Sequence, residues 1–575
     1  MKKGFRFFTT VIVFAFICLG FSSCEKDVRT EIHPTDNTGL KYETQNDGSG
    51  ISCVITGIGT EGGDITIPSV IEGYPVVSIK KNAFSGLTGI TTVSIPSSVK
   101  IIGENAFLGC TGLTNVTISD GVTEIGGSAF SGCTGLTEIT IPSSVEKIGS
   151  SAFYGCAAMS KIAISSGVKE IDSFAFSGCA GITDVSIPDT VATIGGSAFS
   201  WCTGLTGITI SNGVKEIDSN AFADCEALRE ITIPGSVKKV GGGSFYNCTS
   251  LDCVTLLDGV CEIGSLAFYG CTNLRKAIIP GSVATIGGGA FYGCTQLNEI
   301  TIPDSVKQIG SFAFSDCTNL KSILIPGGVE EIGGSVFSGC EGLTDVIISA
   351  DITEISPLSF YNCTSLSTIT IPECVTLIDH SSFEGCSSLV SIVIPKCVVE
   401  IGENAFEGCS SLRTLTIPDS VTKIKGSAFK ECTSLASVAL PDNIEKIADN
   451  SFEGCTGLVS VSFPDYLKEI GASSFKDCTS LVSVTLPDSV LQIGTNAFEG
   501  CASMANITLN ERLTIIRSNA FSDCKSLKNV SIPSSVTSIE KNAFSGCTEL
   551  TAVSVSKKSQ TDSSSFPSWA EINYR

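Results

Sequence analysis

Apolar and polar positions alternate along this chain in a pattern that repeats every 23 residues. One unit, from Cys133, reads CTGLTEITIPSSVEKIGSSAFYG, with apolar residues at Leu136, Ile139, Ile141, Val145, Ile148, Ala152 and Phe153. Leu-x-x-Ile-x-Ile ends with period two, which predicts a short strand with one buried face. Pro142 stops it. Val-x-x-Ile-Gly predicts a second extended piece closed by a glycine turn. Ser or Asn before Ala-Phe predicts the N-cap of a single helical turn.

The period does not slip. Phenylalanine recurs every 23 residues from Phe84 to Phe544, giving 21 repeats. Cysteine follows three residues after each, from Cys110 to Cys547, with Leu87 in the first repeat; this ladder takes 20 of the 27 cysteines. Such a unit is too small to bury its own apolar face, so the units must stack, with Phe, Leu, Ile and Cys in continuous inner columns. At about 4.8 Å per strand step the array spans roughly 100 Å. Residues one period apart then lie side by side. Glu124, Lys147, Glu170, Thr193, Glu216, Lys239 and Glu262 occupy one such column and mostly avoid like neighbours. The strand-ending residue alternates Pro96, Ser119, Pro142, Ser165, Pro188, Ser211, Pro234, which implies growth by duplication of a pair of units.

The unit C-x-x-L-x-x-I-x-I-P-x-x-V-x-x-I-G-x-x-A-F resembles the BspA-like class of leucine-rich repeats over residues 84–555. The resemblance implies a solenoid, mainly β with short helical turns, of about 21 coils. Residues 40–83 resemble the family's opening cap, with Ile-Glu-Gly-Tyr-Pro-Val replacing the usual Ser-Ser-Val. Residues 556–575 lose the pattern, and Phe566, Pro567 and Trp569 are expected to cover the last coil. The family implies a cell-surface protein that binds other proteins or cells, host matrix proteins and glycans among them.

The first residues read as an address. Lys2, Lys3 and Arg6 precede an apolar run from Phe7 to Leu19, short for a membrane span of about 20 residues. Gly20, Ser22 and Ser23 then precede Cys24, the pattern of a removed secretory leader (1–23). The small residues before Cys24 resemble a bacterial lipobox, with Phe21 where Leu is commonest; Cys24 is then the lipidated first residue of the mature chain. Residues 24–39 are polar and read as a flexible tether. The acidic start at Glu25 and Asp27 resembles signals that send lipoproteins of some Gram-negative anaerobes to the cell exterior. The expected place is thus the outer membrane, exposed on the cell surface.

Composition narrows the chemistry. A net charge of −22 argues against nucleic acid, which calls for Lys and Arg against phosphates. Two histidines leave little room for His-based catalysis or metal binding. His33 lies in the tether. His380, in Asp379-His380-Ser381-Ser382, lacks the distant partners of a triad and reads as an exposed polar residue. The Gly-Gly-Gly runs at 241–243 and 287–289 lack the Gly-Lys-Ser/Thr of a phosphate loop and read as turns. No cofactor, metal site or enzyme activity is expected.

An exported, cysteine-rich chain suggests disulfides. Parallel stacking argues otherwise, because Cβ atoms about 4.8 Å apart exceed the 3.8 Å that a disulfide needs. The ladder reads as small buried residues, and free thiols outside the cytoplasm fit an anaerobe. Cys253, Cys261, Cys374 and Cys397 lie off the ladder; Cys374 and Cys397, one period apart, are placed to pair if their turn permits.

Ligands are expected where outward positions depart from the repeat. The residue between the strand isoleucines is usually Thr or Ser but becomes Ile278, Leu324, Ile347 and Val393 in the middle of the array. If outward, they form an apolar stripe of the kind that marks partner sites; the plain alternative is β-propensity. Tyr246, Tyr269 and Tyr292 follow the core Phe in three successive units, with Tyr154 and Tyr361 apart, and Trp201 replaces Gly before Cys202. Exposed stacked aromatics would give flat platforms for sugars or proteins; the plain alternative is that they cover the edge. Adhesion or protein–protein binding is the first expectation, glycan capture for nutrient uptake the second, and a surface spacer the third.

Overall fold

Each 23-residue unit turns once about a common axis and hydrogen-bonds to the units before and after it. The computed structural model describes residues 31–33, 39–48, 50–59 and 62–575. The leader and Cys24 lie outside the described residues.

In the coil that starts at Cys133, Glu138–Ile141 forms a long strand and Lys147–Ile148 a short one. Between them the Val145 N–H donates to the Pro142 carbonyl, closing a turn of 3.1 Å. Ile139 and Ile141 point inward while Glu138 and Thr140 point out, as period two requires. Both strands pair in parallel one period on, Ile139 with Ile162 and Ile148 with Ile171. The molecule therefore carries two strand faces, one of long strands in seven hydrogen-bonded segments and one of short strands in three, with the core between them. The charge column lies in the short-strand sheet as expected: Lys147 and Glu170 are register partners with an ion pair of 3.0 Å, and Lys239 pairs with Glu262 at 2.7 Å.

The third side is not helical; no helix occurs among the described residues. In the Phe107 coil the N–H groups of Asn105, Phe107 and Gly109 donate to Gly127, Ala129 and Ser131 of the next coil, at 2.9, 2.7 and 2.7 Å. Those of Ala106, Leu108 and Cys110 donate back three residues within the coil. A helical turn would close all these bonds internally and leave this side with no tie along the axis. The Ser or Asn expected as an N-cap is instead the residue that turns left-handed, with φ of 56° at Asn105 matched by 70° at Gly109. Asn, Ser and Gly fill the column because they tolerate that conformation.

Phe84 to Phe544 form one buried column whose rings stack 4.9–5.6 Å apart and within 15° of parallel. The ladder cysteines are buried and free, and each thiol donates to the carbonyl of the Phe one coil back. Cys374 is half-buried, with its thiol on the Ile352 carbonyl at 3.1 Å; Cys397 is exposed, and the two are unpaired.

At the start, Leu40–Asn46 and Ile51–Ile58 form an antiparallel pair, and Ile51–Ile58 leads in parallel into Tyr74–Ile79 and the short-strand sheet. The Ile71-Glu72-Gly73-Tyr74 variant makes a tight hairpin, with Glu72 and Gly73 both left-handed. Glu31–His33, inside the segment read as a tether, pairs antiparallel with Tyr42–Thr44. At the other end the pattern continues where it was expected to stop. Residues 556–575 make one shortened coil: Glu571–Tyr574 pairs with Ala552–Val555, and Phe566 stacks on Phe544 at 5.4 Å. Trp569 stays exposed.

Candidate ligand-binding surfaces

The long-strand sheet presents its outward column to solvent. Ile278, Leu324, Ile347 and Val393 are 44%, 48%, 60% and 75% exposed. Leu324 and Ile347 are register partners, and the column runs on through Thr370 to Val393. Ile278 lies in the preceding sheet segment, beside Thr255. Val390 adds a further exposed side chain in the same coil as Val393, and Val459 and Val482 form a second pair farther on. Sequence reasoning missed these three. Their signal was a column in which the other coils place mostly Thr, Ser or a charged residue; where it is Thr, the hydroxyl can bond the previous coil, as Thr344 does to Lys321 at 3.0 Å. Nearer the start, Gly207 lacks a side chain and opens a dip among Asp184, Arg229, Glu230 and Asp252.

The turn edge carries the aromatic departures. Tyr246, Tyr269 and Tyr292 stack at 4.7 and 4.9 Å, within 7° of parallel. They stack as expected, and their faces are therefore turned to one another, leaving the outer faces of Tyr246 and Tyr292 without a ring partner in the stack. Burial, then Asp316 beside it, pushes the Tyr292 phenol up to about 12. Burial, with Tyr269 and Asp224 near, raises that of Tyr246. Trp201 is 58% exposed and left-handed, with φ of 61°. Sequence reasoning missed Phe174, Leu266 and Phe312, which stand exposed in the left-handed column that elsewhere holds mostly Asn, Ser or Gly. Their size in a column of small polar residues was the available signal. In the later coils this edge is instead spanned by ion pairs, Lys430 with Glu407 at 3.1 Å and Lys476 with Glu499 at 3.6 Å.

His380 rests on the adjacent Asp379, Nδ1 to Oδ1 at 3.2 Å, while the buried Ser382 hydroxyl donates to the Asp379 carbonyl. The three groups do not converge on a common point. Among the described residues no group of three or more His, Cys, Asp or Glu side chains is placed to hold a metal ion, and no helix is long and apolar enough to cross a membrane.

A solenoid of 23-residue coils with two faces of parallel strands and a Phe column defines a leucine-rich repeat class. The model of the BspA type leucine-rich repeat region matches residues 77–205, 169–295, 261–390, 376–492 and 468–573. The chain belongs to that family. It is similar to a leucine-rich repeat protein from Bacteroides ovatus, 23% identical over 94% of this chain and 100% of that one, with a TM-score of 0.39. The pneumococcal vaccine antigen PcpA is 20% identical over 69% of this chain and 94% of that one, TM-score 0.39. The leucine-rich repeat protein of T. pallidum is 29% identical over 46% and 91%, TM-score 0.24. No curated protein matches the chain.

Proposed function

We propose that this is a lipid-anchored, outward-facing surface protein that works by binding other proteins, without catalysis. The observation that carries the reading is the exposed apolar stripe centred on the neighbours Leu324 and Ile347. The fold does not need those side chains: Thr or Ser fills the column in most coils. Apolar groups left in water at adjacent positions gain by being covered, at about 25 cal/mol per Å². The anchor is Cys24, and the polar residues after it set the solenoid away from the bilayer. Two measurements test the reading. Mass spectrometry of the protein from its native membrane should find a diacylglyceryl group on Cys24. Protease applied to intact cells should remove the repeats. An unmodified Cys24, or repeats protected until lysis, would refute the placement.

A further inference from the structure

We propose that the recess on the turn edge between Tyr154 and Tyr246 binds a neutral oligosaccharide. The residue after the core Phe is tyrosine at both ends of this stretch and Ser177, Ser200 and Ala223 in between. These three small residues leave three ring-sized slots empty. With coil steps of 5.2–5.5 Å, the walls stand roughly 20 Å apart. Tyr246 is the first ring of its stack, so its free face looks into the gap while Tyr269 covers the other. The recess has a volume of about 680 Å³, within the range of ligand sites.

Its flanks are built at a cost to the fold. Phe174 and Leu266 come from two residues before the core Phe, and Trp201 from two residues after, so they edge the trough on opposite sides. All three hold left-handed backbones, with φ of 60°, 58° and 61°, where other coils mostly place Asn, Ser or Gly. Bulky side chains are disfavoured there. All three are exposed, so core packing does not offset the strain. Strained residues gathered round a concavity point to a use beyond folding.

The chemistry of the lining selects the ligand. Aromatic faces take the apolar C–H faces of sugar rings. Ser177 and Ser200 close the floor, buried and hydrogen-bonded to each other at 2.8 Å, and the exposed Ser219, Asn220 and Ser265 of the lining offer the polar groups. Asp224 supplies a carboxylate for sugar hydroxyls, and no Lys, Arg or His lines the recess. An anionic glycan would meet Asp224 and a chain of net charge −22 with no cation in reach. This site lies on the turn edge, apart from the protein-binding stripe on the long-strand sheet, and stands or falls separately.

The chain has only two tryptophans, so in a Trp569→Phe background the fluorescence reports on Trp201 alone. That protein is run through native gels containing dextran, xylan, galactomannan or polygalacturonate, and its emission is titrated with the same polymers. Retardation by at least one neutral polymer, with a matching change in Trp201 emission, is expected. Tyr246→Ser and Trp201→Gly, which install residues other coils carry there, should each weaken retention about tenfold or more without lowering the melting temperature. For Trp201→Gly, retention is the readout. Retardation by polygalacturonate alone, by no polymer, or equally in the variants would overturn the proposal. So would a Trp201 response to a matrix protein with none to sugar.

Discussion

The thiol of Cys133 donates to the main-chain carbonyl of Phe107, one coil back, at 3.2 Å. That carbonyl already accepts the Cys110 N–H, so the sulfur occupies its second lone pair in a site closed to solvent. The relation recurs along the ladder, for instance at Cys271 to Phe245 and Cys547 to Phe521. Cysteine is thus a small residue that also carries a donor, and an alanine in its place would leave both a gap and an underused acceptor. Cys271→Ala is expected to cost about 1–2 kcal/mol, read as a fall in the denaturant midpoint. Cys397→Ala, at an exposed position, should stay within about 0.5 kcal/mol.

Burial of the ladder also sets a pH dependence. Burial pushes the thiols of Cys110 and Cys271 up from 9.0, to about 11 and about 12. A thiol whose value is raised on folding resists ionisation only in the folded chain. Its contribution is complete below the unfolded value and is lost as pH rises toward the folded one. Stability should therefore hold up to about pH 8.5 and fall steeply between pH 9 and 12, by up to about 1.4 kcal/mol per pH unit for each such thiol. Melting temperatures across that window check the slope. At pH 8 a thiol reagent should modify the exposed Cys261 and Cys397 and spare the ladder until the chain unfolds.

Phe312 holds φ of 60° in the column where most coils place Asn, Ser or Gly, and it is exposed. Phe312→Asn should relieve that strain and raise stability by about 1 kcal/mol. A rise in the melting temperature is expected; a fall would mean that the ring contributes packing to the fold.

Because each coil is covered only by its neighbours, position along the array matters. Phe268→Ala removes a ring between two others and should cost about 3–5 kcal/mol, loosening coils on both sides. Phe566→Ala removes the last ring of the column and should fray only the final coils. Hydrogen exchange resolved by peptide separates the two patterns.

Much of this architecture was legible in the sequence, because a strict period makes every column visible. The Phe and Cys ladders, both strands and the Lys147–Glu170 neighbours follow from it. The third side was misread, since Ser-x-Ala-Phe signals a helix start locally while the axial bonds that make it a turn ladder belong to two coils at once. The tyrosines were legible as a stacked run, though not the near-parallel ring orientation that turns their faces to one another, because spacing along the chain does not give it. Phe174 and Leu266 stood out by size in a column of small polar residues, but the left-handed backbone that makes that size costly is not visible in the sequence. The last coil was hidden by one missing residue between Phe544 and Phe566.

The claim that partners bind at the stripe is tested most directly by returning it to the repeat's own residue. Surface plasmon resonance of the chain against immobilised extracellular matrix proteins, at low and high salt, should show binding that persists in high salt. The triple variant Leu324→Thr, Ile347→Thr, Val393→Thr should keep its melting temperature and lose that binding by at least about tenfold. Unchanged binding by the variant, or binding by the native chain that vanishes as salt is raised, would contradict the account.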